Sequence, residues 1–121
     1  MAELLNQKLL VKINLVIKGM TAAGMSMKIT DGYRTAKQQN ALYKIGRTKP
    51  GKIITNADGY IKLSNHQSGN AVDCCFLING KPNWDDVPDS WWTAYGALCI
   101  AVGLKWGIKI NGWIDRTHTE I

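Results

Sequence analysis

Both histidines of this 121-residue chain fall in two short pieces, Ser64-Asn65-His66-Gln67-Ser68-Gly69-Asn70-Ala71-Val72-Asp73 and Asp115-Arg116-Thr117-His118, which constrain the fold more than any other feature. His66 and Asp73 stand seven positions apart. A helix would separate them by about 10 Å and an extended strand by about 23 Å, so both can serve one ion only if the backbone between them turns back. Gly69, with Asn65, Ser68 and Asn70 around it, supplies turn chemistry at that place. The run from Ala71 to Ile78 is apolar, partly β-branched and free of Pro and Gly, which predicts a buried strand beginning beside Asp73.

Two imidazoles and one carboxylate, His66, His118 and Asp73, are the three-protein-ligand set of a catalytic zinc site, whose fourth position stays open to water. A structural zinc site is normally closed by four ligands, usually with cysteine among them. Asp115, three residues before His118, can stand beside such an ion and take a proton from the water. Singly, each of these residues has an ordinary structural use; together they point to a zinc hydrolase.

The pattern Ser64-x-His66-x-x-Gly69-x-Ala71-x-Asp73, followed by Asp115-x-x-His118, resembles the zinc peptidases that include D-alanyl-D-alanine carboxypeptidases and the L-alanyl-D-glutamate endopeptidases of phage endolysins. Three upstream blocks agree in order and spacing: Asp31-Gly32-Tyr33-Arg34-Thr35, Gln39-Asn40-Ala41-Leu42-Tyr43 and Gly46-Arg47-Thr48-Lys49-Pro50-Gly51. The resemblance covers most of residues 25–120. It implies a hedgehog/DD-peptidase-like domain holding Zn2+ through His66, Asp73 and His118, with Asp115 as general base and then acid. It assigns Arg34 to the charged tetrahedral intermediate, a role that a fixed guanidinium suits. Many relatives carry paired glycines before the tryptophan and an aromatic residue after the last histidine. Here Asn111-Gly112-Trp113 and Thr119 stand instead, which bears on pocket shape and substrate preference.

One domain spanning residues 1–121 is expected from the length, without a separate cell-wall-binding domain. Charged residues interrupt the apolar N-terminal stretch, so neither a signal peptide nor membrane insertion is expected. The net charge of +6 favours anionic partners, but the cations are scattered rather than striped, which argues against nucleic acid. Cys74, Cys75 and Cys99 are odd in number and include a vicinal pair, so they are expected as reduced fillers, Cys74 and Cys75 on opposite faces of one strand.

Apolar spacing predicts a helix from Ala2 to about Gly24 that buries Leu5, Leu9, Val11, Ile13, Leu15, Val16 and Met20. A strand over Met25–Thr30 should end in the Asp31-Gly32 turn, and Thr35 should cap a helix reaching about Ile45. Residues 46–63 are rich in turn formers and predict a loop walling a substrate groove. Asn79-Gly80 signals a hairpin, Lys81–Asp89 a loop, and Ser90 a cap for a helix over Trp91–Val102 with a core-facing aromatic stripe. Leu104–Ile110 reads as one strand, and Asn111-Gly112 as the turn into Trp113-Ile114-Asp115. Gln39 and Ser64 are candidates to touch substrate, Ser64 equally to order its turn, and Glu120 to orient a ligand imidazole or lie exposed.

The expected molecule is therefore an α+β domain, a mainly antiparallel sheet flanked by helices with a zinc cleft, and a monomer. Its expected work is hydrolysis of bacterial peptidoglycan stem peptides, as a phage-type L-alanyl-D-glutamate endopeptidase made in the host cytoplasm and released to the wall or periplasm. The alternatives are a D-alanyl-D-alanine carboxypeptidase, a catalytically silent zinc domain that binds wall or a protein, and a basic nucleic-acid-binding module.

Overall fold

The computed structural model describes residues 4–110 and 112–121. Helix α1 (Gln7–Ala22) is opened by Asn6, whose side-chain oxygen accepts from the amides of Lys8 and Leu9. It buries Leu9, Ile13, Val16 and Met20, one stripe at spacings of three and four. Val11 and Leu15 were expected inside but lie 62% and 56% exposed, because the helical period carries them to the outer face.

Strand β1 (Met27–Asp31) leads to helix α2 (Ala36–Lys44), which Thr35 caps as expected, in a reciprocal box with Gln38. After the long loop, a short 3-10 turn over Asn65–Ser68 delivers the chain into β2 (Ala71–Ile78), the strand predicted from its apolar run. Asn79 and Gly80 turn with positive φ angles of 52° and 76° into β3 (Lys81–Asn83), so part of the expected 81–89 loop is instead the second arm of a hairpin. Helix α3 (Asp89–Ala101) begins one turn position ahead of Ser90, after Pro88, and has no side-chain cap. The expected strand over 104–110 is split into β4 (Lys105–Trp106) and β5 (Lys109–Ile110) around Gly107, whose φ is 74°. β5 pairs with β6 (Trp113–Ile114) as a separate hairpin, and β7 (His118–Glu120) returns to the main sheet. Asn111, at the tip expected there, lies outside the described residues.

β2 is the central strand. Along one edge it pairs with β1, and along the other with β7 near its start and β3 near its end, all antiparallel; β4 adds to β7. Its alternate residues Val72, Cys74 and Phe76 join Met27 and the buried stripes of α1 and α3, including Trp92, Tyr95 and Cys99, in one core. Cys75 faces the other way and is buried too, so both expected filler roles hold. Burial pushes the Cys74 thiol up to about 12, which leaves it without a thiolate for chemistry near neutrality.

The face of β2 turned from this core carries Asp73. In register, Asp31 of β1 stands opposite Asp73, and Asp73 stands opposite His118 of β7, a row across three strands. The register slips by one residue between Ile29 and Asp31, and this bulge is what moves Asp31 out of the alternation that sends Met27 and Ile29 to the core.

Core packing also holds the segment before His118. Trp106 donates from its indole to the Arg116 carbonyl at 2.9 Å, and its ring lies flat against Gly96 of α3, where a methyl group would overlap it. Gly96→Ala should therefore lower stability by about 1–3 kcal/mol. Thermal unfolding should show a Tm reduced by several degrees, and an unchanged Tm would mean that Trp106 is free to move aside.

Candidate metal centre

The 3-10 turn meets the geometric demand of the sequence: it brings His66 over the row formed by Asp73 and His118. Ser64 caps the turn, its hydroxyl accepting from the His66 amide at 3.2 Å while Gln67 accepts from the Ser64 amide. Gly69 closes it with φ 75°, and a side chain there would run into the Leu4 carbonyl. Asn6, besides capping α1, fastens the turn to that helix by donating twice, from its amide to the Gly69 carbonyl at 2.8 Å and from its side chain to Asn70 at 3.1 Å. On the other flank the Arg34 amide donates to the His66 carbonyl at 3.1 Å.

His66 Nε2 lies 3.6 Å and His118 Nδ1 3.5 Å from Asp73 Oδ1, and one donor atom from each residue falls within 4.8 Å of the others. The imidazoles are 2% and 5% exposed. Each uses its second nitrogen elsewhere: His66 Nδ1 on the Gly32 carbonyl at 2.7 Å, His118 Nε2 on Glu120 at 2.8 Å. In the neutral rings the nitrogens facing Asp73 are thus left with the lone pairs. Asp73 Oδ1 is buried and has no hydrogen-bond partner, a state that normally carries a penalty of about 1–3 kcal/mol. An orphaned carboxylate oxygen between two oriented imidazoles fits a divalent cation, and N2O donors with an open side suit zinc.

The other Asp73 oxygen is spoken for. Arg34 Nη2 donates to Oδ2 at 3.2 Å, while Arg34 Nε donates to Asp31 at 2.7 Å and Nη1 to Gln39 at 3.0 Å. The guanidinium therefore lies between the carboxylates of Asp31 and Asp73, which would otherwise repel across the strands. Burial pushes the Asp73 carboxyl up, but its interactions with His118 and His66 outweigh this and hold it well below the usual carboxylate range. For His118, burial pulls the imidazole down and the carboxylates of Asp73 and Glu120 more than reverse it, so its pKa is raised.

A groove runs across this centre. One lobe is lined by His66, Asp73, His118, Arg34, Asp115 and Trp113; the second continues past His118 to Lys62, Lys109 and Glu120. The lobes share Thr55, Ser64, Ile108, Ile110 and His118. Thr55 comes from the 46–63 loop, which does wall the groove as expected, and the β5–β6 hairpin supplies the facing wall. Asp115 is held by its own segment: Oδ1 accepts from the Thr117 hydroxyl at 2.7 Å, and its amide donates to the Ile108 carbonyl at 2.8 Å.

Of the residues expected at the site, His66, Asp73, His118, Asp115, Arg34 and Ser64 come together. Gln39 does not reach the groove. It is fully buried behind Arg34, with Nε2 donating to Thr55 Oγ1 and the Ala57 carbonyl and Oε1 accepting from Arg34. It ties the groove wall to the Arg34 guanidinium that holds Asp73. Asp31 and Gly32 are legible in the sequence only as a turn and Trp113 only as a departure bearing on pocket shape, whereas Asp31 holds Arg34, the Gly32 carbonyl holds His66 and Trp113 lines the groove. The strand bulge that brings Asp31 to the row has no local signature, whereas the Asp31-Gly32-Tyr33-Arg34 block did mark the segment.

The sequence pattern of the D-alanyl-D-alanine carboxypeptidase (VanY) family matches residues 2–92, which include His66 and Asp73. The chain belongs to this family. It is 35% identical over 107 residues to the peptidoglycan L-alanyl-D-glutamate endopeptidase CwlK of Bacillus subtilis (strain 168), an alignment covering 81% of this chain and 62% of that protein. The chain therefore spans under two thirds of that curated relative. The crystal structure of the Serratia marcescens L-Ala D-Glu endopeptidase ChiX has the same fold, with a TM-score of 0.65 over 98% of this chain and 81% of that one, at 17% identity. The α+β fold expected for this VanY-family chain is thus found.

The pKa directions give a test on metal-free protein. His118 is raised above 6.5, so its stabilising contribution is full below that pH and is lost as pH rises through the raised value. Asp73 is depressed below 3.8, so its contribution is present above that pH and is lost as pH falls toward the depressed value. Chelator-treated protein should have its highest Tm in the mildly acidic range, above the ordinary Asp value and below the ordinary His value, and its Tm should fall as pH rises through the raised His118 pKa. A Tm that climbs steadily from the mildly acidic range through the alkaline side would contradict the Asp73–His118 pairing.

Proposed function

We propose that this chain is a zinc-dependent peptidase that cleaves bacterial peptidoglycan stem peptides, as an L-alanyl-D-glutamate endopeptidase. The observation that carries the reading is the Asp73, His66 and His118 donor set, with its orphaned oxygen, opening into a groove that also holds Asp115 and continues beyond His118. A groove extending past the centre suits a peptide that continues on both sides of the scissile bond. Membership in the VanY family supports a peptidoglycan peptidase in general, and the name of the Bacillus relative supports the L-alanyl-D-glutamate bond in particular.

Zinc held by His66, Asp73 and His118 would supply Lewis acidity and would lower the pKa of water at the site. Asp115 accepts the proton of the attacking water and returns it to the leaving amine. Its Oδ1 bonds to Thr117 fix the carboxylate while the groove gives it access to substrate. Arg34 stabilises the carbonyl oxygen as it gains charge, from its place in the same lobe, and through Oδ2 it also fixes the rotation of Asp73. Ser64 orders the His66 turn and lines both lobes, where its position suits contact with a substrate polar group.

A D-alanyl-D-alanine carboxypeptidase is the second reading. It is favoured by Lys62 and Lys109, two cations in the lobe past His118 that could receive a free carboxylate. The retention of Asp115 in the groove speaks against a silent zinc-binding domain, which has no use for a base. We propose a monomer acting at the wall or periplasm after synthesis in a host cytoplasm. Among the described residues no helix is long and apolar enough to cross a membrane.

Purified peptidoglycan digested by the protein and resolved by mass spectrometry should release stem peptides cut after L-alanine, and chelation should stop the reaction until zinc is restored. Release of single D-alanine would favour the carboxypeptidase, and no cleavage by zinc-loaded protein would sink both. Asp115→Ala should reduce turnover by about 10²–10⁴-fold with zinc content unchanged. Arg34→Ala should lower both turnover and zinc affinity, because it loses the Asp73 contact; intact zinc affinity would restrict Arg34 to the substrate.

A further inference from the structure

We propose that Glu120 is the positioning residue of the centre, the group that dictates which nitrogen His118 offers to the metal and that ties the two histidine-bearing elements together. The proposal rests on the zinc reading above. A neutral imidazole has one N–H and one lone pair, and a carboxylate can only accept. With Glu120 Oε1 2.8 Å from His118 Nε2, the hydrogen sits on Nε2 and the lone pair on Nδ1, the nitrogen 3.5 Å from Asp73 Oδ1.

The second Glu120 oxygen, Oε2, accepts from the side chain of Asn65, the residue before His66 in the 3-10 turn. One carboxylate thus spans from β7 to the turn. Its backbone is fixed on both edges, paired with Ala71 of β2 and Lys105 of β4. Strand alternation puts Glu120 on the face of His118, while Thr119 between them points inward and is fully buried. The bond to Glu120 leaves from the far side of the His118 ring, so Glu120 is an orienting group and not a fourth ligand. His66 obtains the same service from the Gly32 carbonyl, which no substitution can remove; Glu120 is the arm that can be tested.

The test measures zinc affinity by competition with a chromophoric chelator for wild type, Glu120→Ala, Glu120→Gln and Asn65→Ala, together with long-range 1H–15N correlation of the His118 ring in zinc-loaded wild type. Glu120→Ala should weaken zinc binding by roughly 10–100-fold. Glu120→Gln, which keeps an acceptor oxygen, should recover most of that loss, and Asn65→Ala, which leaves the His118 contact intact, should lose far less than Glu120→Ala. The wild-type spectrum should show hydrogen on Nε2 and metal on Nδ1. A purely structural role would lower the Tm of metal-free Glu120→Ala without separating alanine from glutamine in zinc affinity. Equal affinity in Glu120→Ala and wild type, or hydrogen on Nδ1, overturns the proposal while leaving the zinc centre standing; wild type that binds no zinc overturns the zinc reading as well.

Discussion

The interaction on which the rest of this structure depends is the division of one carboxylate. Asp73 gives Oδ2 to Arg34 and leaves Oδ1, buried and without a hydrogen-bond partner, between two imidazoles. Removing a carboxylate from water costs several kcal/mol unless charge and hydrogen bonds replace the solvent. Arg34 answers that demand on one side only. The unanswered side defines the site, because it leaves a negative oxygen where two nitrogen lone pairs converge.

Much of the fold can be understood as the means of holding this division in place. The bulge in β1 brings Asp31 opposite Asp73, so Arg34 is gripped by two carboxylates rather than one. Gln39 takes its remaining side and links it to the groove wall through Thr55 and Ala57. The segment between Asp115 and His118 is held to the core through its carbonyls. The Thr117 carbonyl accepts from Tyr95 of α3 and from the Cys74 amide, each at 3.1 Å, and the Arg116 carbonyl accepts from Trp106. The aromatic stripe of α3 is thus core, as its spacing suggests, and through Tyr95 it also holds the loop that carries Asp115.

What was legible in the sequence was whatever local chemistry enforces. The His66 to Asp73 turn could be deduced because no regular structure closes that distance and Gly69 permits the φ of 75° that does. The Thr35 cap and the Asn79-Gly80 hairpin are similarly written in a few neighbouring residues. What could not be read depends on partners far along the chain. Val11 and Leu15 are apolar, but only the position of α3 and the sheet decides which stripe of α1 is covered. Gln39 looks like any helical glutamine until Arg34 and the 55–57 backbone surround it. The Leu104–Ile110 run breaks because Gly107 turns away to let β5 pair with β6, a choice between partners that the apolar pattern alone does not express.

We propose that two imidazoles and one carboxylate oxygen, with no sulfur, hold a zinc ion at this centre. X-ray absorption at the zinc edge of the loaded protein is the decisive measurement. The spectrum should show a shell of nitrogen and oxygen only, at about 2.0–2.2 Å, with the outer scattering of two imidazole rings. A sulfur shell at about 2.3 Å, or an oxygen shell lacking imidazole scattering, would contradict it.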